Sequence, residues 1–388
     1  MKKILVTGGA GYIGSITSKK LLDSGFEVIV LDNFSTGHKE AVDKRAVLEV
    51  ADLKDKNRII TILREHQIEA VVDFAASIAV GESQKKPKEY LENNVFNFLN
   101  LLDALSETGI KMIIKSSTAA VYGTPPDPKF LPLSEDYVDI VKYRKPQLED
   151  GFWGGQKISG TELFDIAIDC YHKRITTRPE LMLTAAEIDK LKIPGSIYGF
   201  TKLLDEIVMK KYDDMFGIKG IVLRYFNAAG ADQSGEFGLD NPNPTHLIGN
   251  AIFQLLGKRK KLTIFGNDYP TKDGTCVRDY IHVNDLAIGH IKALQYLDQN
   301  HKSETFNLGT GSGYSVLEVI ESIEKASGKK VEIYFGNRRP GDVVVVFANP
   351  AKAKDILGWN ATHGLDDMTK DAWRWHSTHP DGYNQAES

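Results

Sequence analysis

The sequence predicts an α/β fold built on a parallel, doubly wound sheet, and three observations predict it. Short β-branched runs alternate with helix-period segments through the first half of the chain. A glycine-rich string occupies the first strand-to-helix junction. After Asn227 the pattern changes, as it does where a second, smaller lobe begins.

In order, residues 4–6, 28–31, 47–50, 70–74 and 112–115 read as buried strands, and 13–24, 58–66 and 95–108 as helices. A further strand, 220–224, follows a helix that begins near Tyr198. In the second half, Asn241-Pro-Asn-Pro is a loop, 247–256 a helix and 262–265 a short strand. Residues 316–326 read as a helix, and 331–335 and 343–347 as strands. Residues 136–195 interrupt the alternation. Within them Leu163, Ile166, Ala167, Cys170 and Tyr171 share one helical face, with Glu162, Asp165 and Asp169 opposite. Thr184-Ala-Ala-Glu187 has capping-box spacing and opens a second short helix. The segment is therefore expected to be a helical insertion, an appendage rather than part of either core. The predicted division is a Rossmann-type dinucleotide-binding domain over 1–135, resumed at 196–229 after the insertion. A smaller α/β substrate domain follows over 230–388, with segments near 278–312 returning to the first lobe.

The chain has 388 residues, 42% of them hydrophobic, enough for a large core. A formal charge of -4 with mixed signs offers no basic footprint for nucleic acid and no polybasic membrane anchor. Two distant cysteines, Cys170 and Cys276, exclude a disulfide framework or a cysteine zinc site and suit a reducing cytosol. Met1-Lys2-Lys3 runs straight into a β-type run, unlike a signal peptide, and no apolar stretch nears the roughly 20 residues of a membrane helix. A soluble cytoplasmic protein is expected. The histidines form no HxxxH or HExxH pair, so no metal site is expected, and His282 reads as a packing residue.

Gly8, Gly11 and Gly14 keep GxxGxxG spacing within Thr7-Gly-Gly-Ala-Gly-Tyr12-Ile13-Gly14. Glycine allows the tight turn, the close approach of backbone N–H groups to a pyrophosphate, and close helix–strand packing. Asp32-Asn33 ends the second strand, where a carboxylate accepts from an adenine ribose and repels a 2′-phosphate, favouring NAD over NADP. Asp52-Leu53, after the third strand, is a further candidate at the adenine. Tyr198 and Lys202 have YxxxK spacing, one helical turn apart, so the ammonium is expected to lower the phenol's pKa and make it a usable base. Ser116-Ser117-Thr118 adds hydroxyls after the fifth strand, where open α/β sheets bind ligands. Arg278, Arg339 and Asp342 lie in the second half. Paired arginines suit a diphosphate, although a single arginine is more often a surface ion-pair partner.

At this point the sequence resembles the UDP-glucose 4-epimerase family of extended short-chain dehydrogenases/reductases, over nearly the whole chain except the insertion. The specific strings are Ser116-Ser-Thr-Ala-Ala-Val-Tyr-Gly123, Leu223-Arg-Tyr-Phe-Asn227, the run from Phe265 to Val283, Arg338-Arg-Pro-Gly-Asp342 and the tail from Trp373 to Tyr383. The resemblance implies Tyr198 as base, Thr118 as the catalytic hydroxyl and Lys202 as the residue that tunes Tyr198 and holds the nicotinamide ribose. It implies a tightly held NAD surrounded by the glycine string with Tyr12 and Ile13, and by Asp32, Asn33, Asp52, Leu53, Phe74, Ala75, Ala76, Asn93, Ser116 and Tyr225. Asn227, His246, Arg278, Arg339, Asp342 and Val346 would meet the UDP-sugar. A homodimer is implied too. In the expected reaction Tyr198 takes the 4-hydroxyl proton as C4 gives hydride to NAD, and the flat ketone turns over to receive hydride on its other face.

The chain departs from the pattern in three places. Ala75-Ala-Ser-Ile78 carries no lysine after Phe74, Thr245-His246 stands where some members have paired asparagines, and roughly fifty extra residues separate Glu135 from Tyr198. Four positions beyond Asp342, where a bulky tyrosine in the family disfavours N-acetylated sugars, the chain has Val346. That residue predicts turnover of UDP-GlcNAc/UDP-GalNAc besides UDP-glucose/UDP-galactose, unless Val346 is simply an inward-packed strand residue. Rival readings are an epimerase of a UDP-uronate or UDP-pentose, a non-catalytic NAD-binding regulator, and a 4,6-dehydratase. The last needs a carboxylate pair where Ala119-Ala120 follow Thr118.

Overall fold

The computed structural model describes residues 2–125, 127–141, 145–339 and 342–383. In chain order the strands begin with β1 (Lys3–Thr7), β2 (Glu27–Asp32), β3 (Val47–Val50), β4 (Ala70–Asp73), β5 (Met112–Thr118), β6 (Gly151–Trp153), β7 (Gln156–Ile158) and β8 (Lys219–Tyr225). They continue with β9 (Asn227–Ala229), β10 (Leu262–Phe265), β11 (Val277–Arg278), β12 (Tyr280–His282), β13 (Glu304–Leu308), β14 (Tyr314–Ser315), β15 (Ile333–Gly336) and β16 (Val345–Val346). Seven of them form one parallel sheet in the order β13-β8-β5-β4-β1-β2-β3. The chain winds outward from β1 to β3, then resumes at β4 on the other side of β1. That reversal opens a crevice beyond the carboxyl ends of β1 and β4, where such sheets take ligands.

Both faces of this sheet are covered, which is why its strands read as continuous apolar runs rather than alternating ones. Leu5, Ile29, Val71 and Ile113 enter one cluster with Phe98, Leu101, Phe200 and Leu204. Their neighbours Ile4, Val6, Val28, Val30, Val72 and Ile114 point the other way, towards Ile291, Leu294 and Leu297 of the helix Val283–Asn300. The smaller lobe pairs β10 with β15 and packs helices Leu247–Leu255, Val316–Ser327 and Leu365–Thr378 around Ile252, Ile264, Ile323 and Met368.

Three sequence expectations change here. The β-prone run 343–347 forms only the two-residue strand β16, because it meets a partner only at β11. The first-lobe helix expected from residue 95 is preceded by a π-helix, Leu91–Phe96, and runs Asn97–Thr108. The segment 136–195 is neither wholly helical nor an appendage. Both predicted helices are present, as Gly160–Arg174 and Ala185–Leu191, each with a capping box, at Ser159/Glu162 and Thr184/Glu187. Before them β6 and β7 form a hairpin turning on Gly154 and Gly155, both left-handed. Leu163, Phe164, Ala167, Tyr171, Leu181, Leu191 and Ile193 are buried in the same cluster as the sheet. An amphipathic pattern shows which residues must be covered but not by what. Lys142, Tyr143 and Arg144 lie outside the described residues.

Leu163→Ala should therefore cost the whole first lobe about 2–5 kcal/mol, as other buried leucine truncations do. Met182→Ala, at a 41% exposed position of the same segment, should stay within about 0.5 kcal/mol of wild type. Urea unfolding of both variants measures the contrast, and equal small effects would place the segment outside the core.

Candidate active site

The glycine string forms the turn between β1 and the helix Tyr12–Asp23. A Cβ on Gly14 would stand 2.2 Å from the Gly8 carbonyl oxygen, and one on Gly8, whose φ is +66°, would stand 2.9 Å from the Ala75 amide nitrogen. No side chain caps the helix start and no acid lies in its first turn. Its amide dipoles therefore face the crevice free to meet an anion, and a dinucleotide pyrophosphate fits this cradle. Asp32, at the end of β2, accepts from Ala10 N (3.0 Å) and Phe34 N (2.8 Å). Asn33 donates to Asp52 (2.9 Å), tying the ends of β2 and β3 into one rim. Ala75 N donates to Asp73 (3.2 Å), which sets the turn leading to Ala76 beside the cradle. Asn93 reaches the same region by donating to Ser77 Oγ (3.0 Å). Tyr12 donates to the Gly230 carbonyl (2.7 Å), fastening the helix start to the loop after β9. Ile13 is half-buried between two apolar clusters, and Leu53 is a core residue.

At the carboxyl end of β5, the Lys202 ammonium donates to the Ser116 carbonyl (3.0 Å) and is buried. Thr118 accepts from Ala120 N (3.1 Å) and lies close enough to the Tyr198 hydroxyl to act on it, with Tyr198 one helical turn before Lys202 on the helix Ile197–Phe216. Thr118, Tyr198, Lys202 and Ser116 thus lie together at the carboxyl end of β5. The tyrosine's state differs from expectation. Burial pushes the Tyr198 hydroxyl up to about 12, against the lowering effects of the Thr118 hydrogen bond and the Lys115 charge. Lys202 points to the Ser116 carbonyl instead, and burial lowers its own pKa. Tyr225 pairs with His290 (2.8 Å), whose ring lies 4.7 Å from that of Phe74.

In the second half, Asn227 donates to the Asp279 carbonyl (2.7 Å). Arg278 pairs with Asp342 (3.7 Å) and stands beside Val346 in the β11–β16 register. The Arg339 guanidinium lies 3.8 Å from the centre of the Phe265 ring. Pro340 and Gly341, inside the Arg338–Asp342 motif, lie outside the described residues. His246 is exposed and caps the helix Leu247–Leu255 by accepting from Gly249 N (3.2 Å), so its imidazole has a structural task. His282 likewise caps its helix and meets Asp371, as a packing residue should.

Several residues at the site escaped sequence reasoning. Tyr198 N donates to Ser83 Oγ (3.1 Å) and Ile197 N to Gln84 Oε1 (2.7 Å), so a short helix, Val80–Ser83, and its cap seat the start of the Tyr198 helix. Gln84 also donates to the Glu149 carbonyl (2.7 Å) in the inserted segment. Burial and the charge of Asp342 hold the Glu149 carboxyl above its ordinary value, placing the segment beside the Arg278–Asp342 pair. Lys115, fully buried between Asp73 and Asp205, is the other omission. One signal was available: a lysine inside a β-branched run of an interior strand must be paired.

Two sequence-family models match: the NAD dependent epimerase/dehydratase family over residues 4–146 and GDP-mannose 4,6 dehydratase over residues 184–372. The chain is 40% identical to the UDP-glucose 4-epimerase of Bacillus subtilis, covering 99% of each. It superposes on a UDP-glucose 4-epimerase from Stenotrophomonas maltophila, bound to NAD and formylated UDP-arabinopyranose, with a TM-score of 0.80 and 33% identity over 98% of this chain and 99% of that one. The UDP-Glc/GlcNAc 4-epimerase of Campylobacter jejuni is 34% identical, with a TM-score of 0.72 over 97% and 100% of the two chains. Gly14→Ala, which drives a methyl into the Gly8 carbonyl, should leave the protein folded but without retained dinucleotide. Circular dichroism and absorbance of the nucleotide released on denaturation report the two halves of that expectation.

Proposed function

The chain belongs to the UDP-glucose 4-epimerase family, and we propose how its own residues carry out the family's reaction. The protein is an NAD-dependent isomerase that reversibly epimerises UDP-hexoses at C4. The observation that carries the assignment of roles is the contact between Thr118 and Tyr198 at the carboxyl end of β5, with Lys202 held one turn away.

NAD, which the glycine cradle and the Asp32–Asp52 rim would hold, would supply the hydride acceptor and donor for C4 and a positive nicotinamide charge. Tyr198 takes the proton of the sugar 4-hydroxyl and returns it after the flat 4-keto sugar has turned over. With its hydroxyl pushed up to about 12 by burial, Tyr198 alone is a poor base at neutral pH. The Thr118 hydrogen bond and the cationic charge around it favour the phenolate. Lys202 would hold the nicotinamide ribose. Arg278, Asp342, Asn227 and Arg339 hold the diphosphate end, so that binding energy remote from C4 retains the ketone while it turns. Asp32 disfavours a 2′-phosphate and selects NAD. Ala119 and Ala120, following Thr118, present methyl groups where dehydration needs carboxylates, which weighs against the dehydratase reading. A homodimer in the cytoplasm belongs to the same proposal, supported by the family and by two unpaired cysteines. No helix among the described residues is long and apolar enough to cross a membrane.

Substrate width follows from Val346. It is half-buried, packs against the first-lobe cluster and stands in register with Arg278, so it is both a strand residue and a neighbour of the arginine assigned to the diphosphate. A valine there leaves room for a 2-acetamido group, and UDP-GlcNAc/UDP-GalNAc are proposed as substrates beside UDP-glucose/UDP-galactose.

Tyr198→Phe should keep its fold and NAD and lose at least about 10²-fold in kcat, the usual scale of a general base. Conversion of UDP-galactose at the wild-type rate would remove Tyr198 from that role. For Val346→Tyr the expected result is a selective fall in kcat/KM for UDP-GlcNAc, with UDP-galactose little changed. An unchanged ratio between the two sugars would end the steric argument.

A further inference from the structure

Behind the Tyr198–Lys202 pair lies a set of buried charges that the reaction as described does not use. Lys115, on interior strand β5, is 0% exposed. Its ammonium meets Asp73 at the end of β4 (2.7 Å) and Asp205 on the Tyr198 helix (3.1 Å), and lies 3.7 Å from the centre of the Phe98 ring. Asp73 is also fastened by the Thr7 hydroxyl and by Ala75 N. Asp205 differs: it is 0% exposed, yet neither of its carboxylate oxygens receives a hydrogen bond in good geometry, so charge alone holds it. It follows Lys202 by three residues and Tyr198 by seven, on the same face of one helix.

The backbone joins the two sets. Lys115 is the residue before Ser116, whose carbonyl receives the Lys202 ammonium. Lys115 and Lys202 stand against Asp73 and Asp205, and the four buried charges cancel. The remaining polar groups facing this set are already engaged. Glu206 pairs with Arg224 (2.6 Å) and takes the Ser117 hydroxyl (2.5 Å). Tyr171, from the inserted segment, donates to the Leu181 carbonyl (3.0 Å), and Tyr225 is bound to His290. A buried ion set is weak evidence for stability, since apolar residues of similar volume commonly do as well. What apolar residues cannot do is set the potential at a titrating phenol.

We propose that Lys115 and Asp205, with Asp73, form a counter-charge set that fixes the potential at Tyr198 and Lys202, making Lys115 and Asp205 positioning residues for C4 epimerisation. The inference rests on Tyr198 being the base. The shifts agree in sign. Burial acts to lower Lys115, but Asp205 and Asp73 outweigh it and hold the ammonium above its ordinary value. Behind burial, the charge of Lys115 lowers Lys202 and that of Asp205 raises it, and the two act on Tyr198 in the same opposed senses.

The test is the pH dependence of kcat for UDP-galactose, measured on NAD-loaded enzyme. Asp205→Asn removes a negative charge, so both Tyr198 and Lys202 release protons more readily and both limbs of the profile move to lower pH. Lys115→Met removes a positive charge and moves both limbs to higher pH. Each shift should be about one pH unit, the lower end of single-charge effects at close range. The double variant Lys115→Met/Asp205→Asn restores the net charge and should return the limbs to within a few tenths of a unit of wild type. That variant also covers the case in which Lys115→Met, with two carboxylates left unpaired, fails to fold. Limbs that stay put in Asp205→Asn, or limbs that in the double variant remain displaced as far as in Asp205→Asn, whatever happens to the rate, would overturn the proposal and leave the set structural. Tyr198→Phe run alongside separates the two layers: if it is inactive while the limbs do not move, only the counter-charge inference fails, and if it is active the base assignment itself is wrong.

Discussion

The hydrogen bond from the buried Lys202 ammonium to the Ser116 carbonyl ties the Tyr198 helix to the interior strand of the sheet, and the site follows from the two repeat lengths that meet there. Two residues along a strand advance about 6.6 Å, and one turn of a helix about 5.4 Å. From Ser116 to Thr118 the strand moves two residues, keeping the same face. From Lys202 back to Tyr198 the helix moves four residues, also keeping the same face. Once Lys202 meets Ser116, Tyr198 is carried to Thr118. The approach of phenol and hydroxyl needs no separate device to bring it about. Ser83 and Gln84 then hold the helix start against fraying, which would otherwise be greatest at the turn carrying Tyr198.

What could be read in the sequence divides along the same physical line. Local signals were legible because they are settled within a few residues: the glycine turn, the capping box at Glu187, the YxxxK face, the short strand at 262–265. The hydroxyls of Ser116 and Thr118 could be placed because strand ends in a doubly wound sheet fall at one edge. Less legible was anything decided by a partner distant in the chain. β16 is two residues long because β11 offers only two, and no property of residues 343–347 says so. Residues 136–195 read as an appendage because their helical faces said only that something must cover them. His246 could be assigned to the sugar by position, but its local bond to Gly249 N is a cap. The tyrosine's pKa went astray for the same reason: spacing gives proximity to a lysine, whereas the direction in which that lysine points depends on β5.

Asp279 shows how the two lobes keep their relation. It lies between β11 and β12, fully buried, and its carboxylate accepts from Thr310 N, Thr310 Oγ, Gly311 N and Ala348 N. Its backbone carbonyl takes the Asn227 amide. One residue therefore gathers the segment after β13, the segment after β16 and the start of β9, and Leu133 of the first lobe pairs with that same Phe347–Asn349 stretch. The residues assigned to the diphosphate follow those assigned to C4 along the chain, and this junction sets their spacing.

The position of β13 bears on how the molecule is made. It is the outermost strand of the main sheet on the β8 side, yet it belongs to the second half of the chain, with much of the smaller lobe encoded in between. During synthesis β8 emerges long before its neighbour, and at ordinary translation rates of about 5–20 residues per second the interval lasts several seconds. Throughout it β8 presents a bare, apolar edge whose amides and carbonyls have no partner on that side, the kind of edge to which other nascent chains add. A sheet closed this late joins its lobes into one cooperative unit, and in exchange the ribosome-bound chain passes through a sticky half-sheet that invites chaperone attendance.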